Sequence, residues 1–183
     1  MLRVTALLLV PLCVVAASPE QGEKALEAVP PVDGSRAVYT TEIPAGVQRV
    51  WAAFTKKEEL EGWMAPLVEV DFRVGGTIRS NYNVKGKIGD ERTIENTILS
   101  YDPRRMLSLK ATGFPKGFPF KKAAKGTWTV FYFEPIAKGR TKLTLVGLGY
   151  TKDPQSQKMR AFFKGANQYS IDQLKKWLKK EKK

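Results

Sequence analysis

The sequence predicts an α+β fold in which a seven-stranded antiparallel sheet wraps around one long C-terminal helix, with two short helices after the first strand. Two observations lead to this prediction. Short segments of alternating apolar and polar residues are separated by turns rich in glycine, proline and aspartate, which is typical of antiparallel hairpins. One long amphipathic segment closes the chain and can cover the apolar face of the sheet. Because a twisted sheet does not lie flat on a helix, we expect a space between them.

The chain begins with the features of a cleaved signal peptide, residues 1–17. Arg3 supplies a positive charge, "VTALLLVPLCVV" is an apolar run too short to span a bilayer, and "AAS" offers small residues for cleavage. We place the cut after Ala17, because a cut after Ser18 would leave Pro19 as the first mature residue. The sequence therefore predicts an exported protein, periplasmic or secreted, in preference to a membrane anchor.

The rest of the chain divides into a leader and one domain. Residues 18–36 are polar and contain prolines, which predicts a disordered leader. Residues 37–183 have the length of a single domain with a sizeable core.

The composition excludes several kinds of site. The chain has no histidine, and its one cysteine, Cys13, lies in the predicted signal peptide. Ser-His-Asp and Cys-His catalysis and zinc sites built on nitrogen or sulfur are therefore excluded, and we predict neither a metal nor a cofactor. The formal net charge of +13 favours contact with anionic membrane surfaces, although solubility alone also explains it. Nucleic acid is not a predicted partner, because an exported protein rarely meets it.

The predicted domain starts with one strand and two short helices. The strand is "AVYTTEI" (37–43), and Pro44 then opens a helix in which apolar residues recur at i, i+3, i+4 and i+7. These residues are Val47, Val50, Trp51 and Phe54. The second helix is "KKEELEGWM" (56–64), and its apolar side consists of Leu60, Trp63 and Met64.

Strands and a final helix fill the rest of the domain. In "LVEVDFRV" (67–74) apolar and charged residues alternate, as in a half-buried strand, and Gly75-Gly76 turns into the next strand. Further strands are predicted at 77–84, 92–101, 106–112, 126–134 and 140–150. Asp153 and Pro154 supply the N-cap and first turn of a helix that runs to about residue 180. Its apolar face consists of Met159, Phe163, Ala166, Ser170, Leu174 and Trp177.

Four segments carry a family resemblance: "IPAGVQRVWAAFTKKEELEGWMAP", "VEVDFRVGGTI", "TILSYDPRRML" and "GRTKLTLVGLGY". In sequence and spacing they resemble the family typified by the activator of Hsp90 ATPase homologue, within the START-like, polyketide-cyclase-like (SRPBCC) superfamily. The resemblance covers about residues 37–180 and implies the helix-grip fold. It also implies that Trp51 and Trp63 pack and that Gly75 and Gly76 turn.

The resemblance implies a class of function but no catalytic motif. Members of the superfamily typically bind apolar or amphipathic small molecules between the sheet and the C-terminal helix, and a minority are cyclases or dehydratases. The co-chaperone role of the named family needs a cytosolic partner, and the predicted signal peptide argues against it.

Alternation predicts which strand residues face the cavity. The inward set is Val70, Phe72, Ile78, Ser80, Tyr82, Asn96, Ile98, Leu107, Leu109, Thr129, Phe131, Phe133, Leu143 and Leu145. Most of these are ordinary core, whereas the polar ones either pair with each other or orient a ligand. The candidate ligand-binding residues are Trp63, Phe72, Ser80, Tyr82, Asn96, Leu109, Phe114, Phe118, Thr129, Phe131, Leu145, Phe163 and Asn167.

The strand at 126–134 is apolar on both faces. We place Phe131 and Phe133 inside, because in the resembling families the residue just before this turn points to the core. Trp128 and Tyr132 would then lie on the outer face, either beneath lysines that stack on them or in a dimer surface. We predict a monomer or a weak dimer.

Acid-base chemistry in the cavity would depend on very few groups. Alternation places Glu69, Asp71 and Glu95 on the outer face of the sheet. Tyr82 is therefore the one inward-facing residue that could donate a proton. We therefore favour a binding protein over an enzyme. A cyclase or dehydratase that uses Tyr82 is the alternative, and binding to anionic surfaces is the second alternative.

The segment "TGFPKGFPFKK" (112–122) places aromatic residues where Pro115, Gly117 and Pro119 exclude an ordinary strand or helix. One interpretation is a hydrophobic plug that closes one end of the core. The other is a lid whose Phe114 and Phe118 touch the ligand or an acyl chain. Nearby lysines would then face anionic headgroups, namely Lys116, Lys121, Lys122 and Lys125.

Overall fold

The computed structural model describes residues 34–180. The strands are β1 (Ala37–Ile43), β2 (Leu67–Val70), β3 (Thr77–Asn81), β4 (Ile94–Asp102), β5 (Met106–Gly113), β6 (Trp128–Ala137) and β7 (Arg140–Leu148). The helices are α1 (Val47–Thr55), α2 (Lys57–Trp63), α3 (Lys121–Ala124) and α4 (Pro154–Lys180). None of these helices is long and apolar enough to cross a membrane.

The seven strands form one antiparallel sheet in the order β1-β7-β6-β5-β4-β3-β2. Neighbours from β2 to β7 follow one another in the chain, so short connections suffice. β1 instead pairs with β7, so α1 and α2 connect the two edges of the sheet. The predicted α+β, helix-grip architecture is confirmed.

The main core lies under α1, α2 and the C-terminal end of α4. Trp51 packs edge-on against Phe133 at 5.4 Å between ring centroids, and Trp63 Nε1 donates a hydrogen bond of 2.8 Å to the Ala53 carbonyl. A Cβ atom at Gly62 would lie 2.3 Å from Trp177 Nε1, so glycine is needed where α2 approaches α4. This packing fixes the C-terminal half of α4 on the sheet.

Two strands end earlier than the alternating pattern predicts. β2 ends at Val70 instead of residue 74, because the chain turns there: Arg73 N donates to Asp71 O at 3.0 Å, and Gly76 N donates to Arg73 O at 2.9 Å. β3 ends at Asn81 instead of residue 84. The side chain of Asn81 is fully buried and holds the next loop, where its Nδ2 donates to Asp90 Oδ1 at 2.8 Å. Polar loop contacts therefore compete with the sheet ladder here.

Residues 34–36 of the predicted leader bond to the domain. The Ser35 carbonyl accepts a hydrogen bond from Tyr150 N at 3.2 Å, and the Arg36 carbonyl accepts one from Arg160 Nε at 3.0 Å. The predicted signal peptide and the leader up to residue 33 lie outside the described residues.

The start of α4 has the predicted cap. Asp153 Oδ1 accepts hydrogen bonds from the backbone N of Gln155 at 2.9 Å and of Ser156 at 3.2 Å. We expect Asp153→Ala to lower the free energy of unfolding by about 1 kcal/mol, measured by urea denaturation, because these two donors lose their acceptor. Asp153→Asn keeps an acceptor and is the control. Equal stability of the alanine variant and the wild type would contradict a capping role.

Candidate functional site

A cavity of about 240 Å³ lies between the sheet and α4. Its position follows from the burial of α4, which has buried residues near both ends of its contact with the sheet but none from 160 to 170. Below this middle stretch the helix does not close on the strands. Phe163, Asn167 and Ser170 face the space at i, i+4 and i+7.

The floor of the cavity continues into the main core. Phe54 lies 5.3 Å from Trp63 and 5.3 Å from Phe131 between ring centroids, and all three rings line the space. Leu109 and Leu145 add aliphatic surface from neighbouring strands. No lining residue carries a formal charge. Such a wall provides burial for an apolar group but no partner for a charged one.

Two tyrosines contribute hydroxyl groups to the wall. Tyr150 is 7 % exposed, and burial raises the pKa of its hydroxyl although nearby Arg160 acts in the opposite direction. The pKa of Tyr82 is raised by partial burial and then by neighbouring Tyr169. Because Tyr82 is 60 % exposed, solvent screens this effect. Both hydroxyls keep their protons at neutral pH and can donate hydrogen bonds.

The phenylalanine-rich segment closes one end of the cavity with an aromatic cluster. Phe114 and Phe118 stack at 5.4 Å with nearly parallel rings, and Phe118 also contacts Phe120 at 5.7 Å. Phe118 lies 6.5 Å from Phe163, and Phe120 lies 5.7 Å from Phe162 on α4. The cluster therefore ties this segment to the same stretch of α4 that covers the cavity.

The secondary structure of this segment differs from the predicted loop. Residues 112 and 113 complete β5, and residues 121 and 122 begin α3, so the irregular part is 114–120. The backbone N of Lys116 donates to Glu91 O at 2.7 Å, and Lys116 Nζ lies 2.9 Å from Glu91 Oε2. Lys116 is thus paired within the protein, where the sequence suggested a headgroup contact.

Most of the predicted ligand-binding residues come together around the cavity. The ones that line it are Trp63, Tyr82, Asn96, Leu109, Phe114, Thr129, Phe131, Leu145, Phe163 and Asn167. Their binding role remains a prediction.

Three of the predicted residues lie elsewhere. Phe72 follows the end of β2 and packs against Tyr101, 4.8 Å away, under α1. Ser80 is buried in β3 opposite Val68 and does not line the cavity. Phe118 stands behind Phe114 in the aromatic cluster. The alternation of side chains along the strands identified the inner face of the sheet. It did not identify which part of that face α4 leaves uncovered.

The sequence did not predict several residues of the cavity wall. Tyr150 follows β7 at a turn where Gly149 has a φ of 79°. The alternation of side chains along a strand therefore does not predict which way Tyr150 points. Trp128 was predicted on the outer face, yet it contributes to the cavity rim and is 37 % exposed. It begins β6, and its ring lies beside Gly149, where a Cβ atom would be 3.1 Å away. The inward placement of Phe131 and Phe133 is confirmed.

The residues that the structure describes contain no group of three or more histidine, cysteine or carboxylate side chains arranged to hold a metal ion.

Comparison with known proteins establishes the family. The sequence profile described as "Activator of Hsp90 ATPase homolog 1-like protein" matches residues 44–179. The chain belongs to this family. The resemblance predicted from the sequence is therefore confirmed. No curated protein sequence matches the chain significantly.

Solved structures share the fold of this activator of Hsp90 ATPase homolog 1-like chain. A protein from Mesorhizobium loti is 17% identical with a TM-score of 0.62, and the match covers 79% of this chain and 97% of that chain. The Aha1 dimer from Colwellia psychrerythraea is 16% identical with a TM-score of 0.60, covering 76% and 92%. A protein from Nitrosomonas europaea is 19% identical with a TM-score of 0.58, covering 82% and 99%. At these identities the likeness concerns the fold alone.

Proposed function

We propose that this protein is exported and binds an apolar or amphipathic small molecule in the cavity below α4, without a cofactor and without catalysing a reaction. The observation that supports this proposal is the uncharged, largely apolar wall with a few hydroxyl and amide groups. Proteins with this fold typically bind hydrophobic ligands. Burial of apolar surface favours binding by roughly 25 cal/mol per Å², and the polar groups orient the ligand.

The size of the cavity favours a slender ligand. Its volume of about 240 Å³ lies below the range of about 300–1,000 Å³ that is usual for drug-sized molecules. A single acyl or isoprenoid chain suits such a space better than a fused polycyclic compound. Asn167 and Ser170 on α4 and Asn96 on β4 place hydrogen-bonding groups along its length.

Native mass spectrometry of the purified full chain tests the proposal. We expect an additional mass that disappears after extraction with organic solvent, and the extract identifies the ligand. A protein that carries no such mass and binds no added lipid or isoprenoid would contradict the proposal.

The same experiment separates binding from catalysis. The extracted ligand is returned to the emptied protein and followed by mass spectrometry over several hours. We expect it to remain unchanged. Conversion by the wild type but not by Tyr82→Phe or Tyr150→Phe would replace the proposed function with a cavity enzyme in which a tyrosine donates a proton.

A further inference from the structure

A second opening lies between the start of β1 and the N-terminal half of α4. It is a groove of about 480 Å³, and Ala37 to Tyr39 form its strand side. Its helix side includes Gln157, Arg160, Lys164 and Asn167, one stripe at helical spacing. This stripe is adjacent to the one that faces the cavity.

The groove and the cavity share part of their walls. Ala37 and Asn167 line both spaces, so the two spaces are adjacent at the middle of α4. Arg160 in the groove is close enough to Tyr150 in the cavity to lower the pKa of its hydroxyl against the larger, opposite effect of burial. A ligand that extends past these two shared residues would contact both spaces.

The two spaces differ in charge. The cavity wall has no charged side chain, whereas the groove has two cations, Arg160 and Lys164, and no carboxylate. Neither cation takes part in an ion pair within residues 34–180. Two unpaired cations at one end of an apolar space attract an anion and repel a second cation.

Hydrogen bonds fix the position of the Arg160 guanidinium. Its Nε donates to the Arg36 carbonyl at 3.0 Å, and its Nη1 donates to Gln157 Oε1 at 3.3 Å. A guanidinium has further N–H groups, so Arg160 retains donors for a carboxylate while its orientation is held. Lys164 lies one turn further along α4 on the same stripe and adds a second positive charge.

We infer that the groove is an anion-binding subsite and that the ligand is an amphipathic anion, of which a fatty carboxylate is the simplest example. Its headgroup lies between Arg160 and Lys164, and its apolar part passes Asn167 into the cavity. This inference rests on the proposed function, because it assumes that the cavity holds the apolar part.

Titration of the full chain with decanoate and with decanol tests the inference. Trp63 and Trp128 line the cavity, so their fluorescence reports occupancy by either probe. We expect Lys164→Gln to weaken decanoate binding about tenfold and Arg160→Gln to weaken it at least as much, since a hydrogen bond to a charged group is lost. Decanol binding should be unchanged in both variants.

The control variant is Lys176→Gln, which removes one positive charge from an exposed position of α4 outside the groove. It should bind decanoate like the wild type. Lys164 is itself exposed, so its replacement does not disturb the fold. Both Arg160→Gln and Arg160→Lys lose the hydrogen bond to the Arg36 carbonyl, but Arg160→Lys keeps the positive charge. Comparing the two variants therefore separates the effect of the charge from an effect on local packing.

The possible results distinguish the two hypotheses. Wild-type decanoate affinity in Lys164→Gln and Arg160→Gln, with normal decanol binding, would overturn the subsite and leave the proposed function intact. An equal loss in Lys176→Gln would also overturn the subsite, because it would reflect overall charge. If neither probe binds the wild type, the subsite is overturned, and the proposed function is then decided by the mass spectrometry of the purified chain.

Discussion

Ala111→Phe is expected to abolish binding of decanol and other apolar probes while leaving the protein folded. Ala111 lies on β5 and its side chain lines the cavity. A cavity of about 150 Å³ is enough to hold a benzene ring, so one added phenyl group fills much of a space of about 240 Å³. We expect at least about a 100-fold loss of affinity, since roughly 3 kcal/mol of apolar burial is no longer available to the ligand.

The stability of this variant serves as an internal check. Filling an existing space should change the free energy of unfolding by less than about 1 kcal/mol, whereas a clash with a packed wall would cost about 1–3 kcal/mol. Ala137→Phe, the same substitution at an exposed position near the β6–β7 turn, is the matched control and should bind decanol normally. Normal decanol binding by Ala111→Phe would show that the probe binds outside the cavity.

The sheet could be predicted from the sequence because its inner face depends on local alternation. Ile98, Leu107 and Leu143 are all fully buried, and each stands at the position that parity predicts. Antiparallel order followed from the short connections, and the long helix followed from its cap at Asp153. Each of these features depends on residues that are neighbours in the chain or on one strand face.

The exact outline of the cavity could not be predicted, because it depends on long-range packing. Phe163 and Leu174 belong to the same apolar face of α4, yet Leu174 is fully buried in the core and Phe163 borders an open space. The difference arises because Trp177 holds the C-terminal end of α4 against Gly62 of α2, whereas Phe163 in the middle of α4 packs beside Phe118 at one end of the cavity. Tyr150 likewise enters the site only through the turn at Gly149.

The groove beside β1 could not be predicted from the sequence at all. Arg160 and Lys164 are two of many basic residues in a chain with a net charge of +13, and nothing local distinguishes them. Only the fold places them together beside an uncharged cavity. The net charge alone suggested a surface that binds anionic membranes. The structure instead places Arg160 and Lys164 in one groove, where neither has an acidic partner among the described residues.

Phe118→Ser is expected to destabilise the protein, because the Phe118 ring packs within the aromatic cluster of the segment 114–120. The Phe118 ring contacts three other rings, those of Phe114, Phe120 and Phe163. Aromatic pairs contribute about 0.5–1.5 kcal/mol each beyond burial, and Phe118 is partly buried. We expect a loss of about 2 kcal/mol in the free energy of unfolding, seen as a fall in Tm of about 5 °C.

Phe162→Ser is the matched control, since Phe162 belongs to the same cluster but is 53 % exposed and should cost less than about 1 kcal/mol. Phe114→Ser addresses the cavity directly, because Phe114 both stacks on Phe118 and lines the space. We expect it to lose stability and decanol affinity together. If Phe118→Ser kept the wild-type Tm and lost only decanol affinity, the segment would be a lid that opens in solution, because its aromatic contacts would then contribute to ligand retention and not to the folded state.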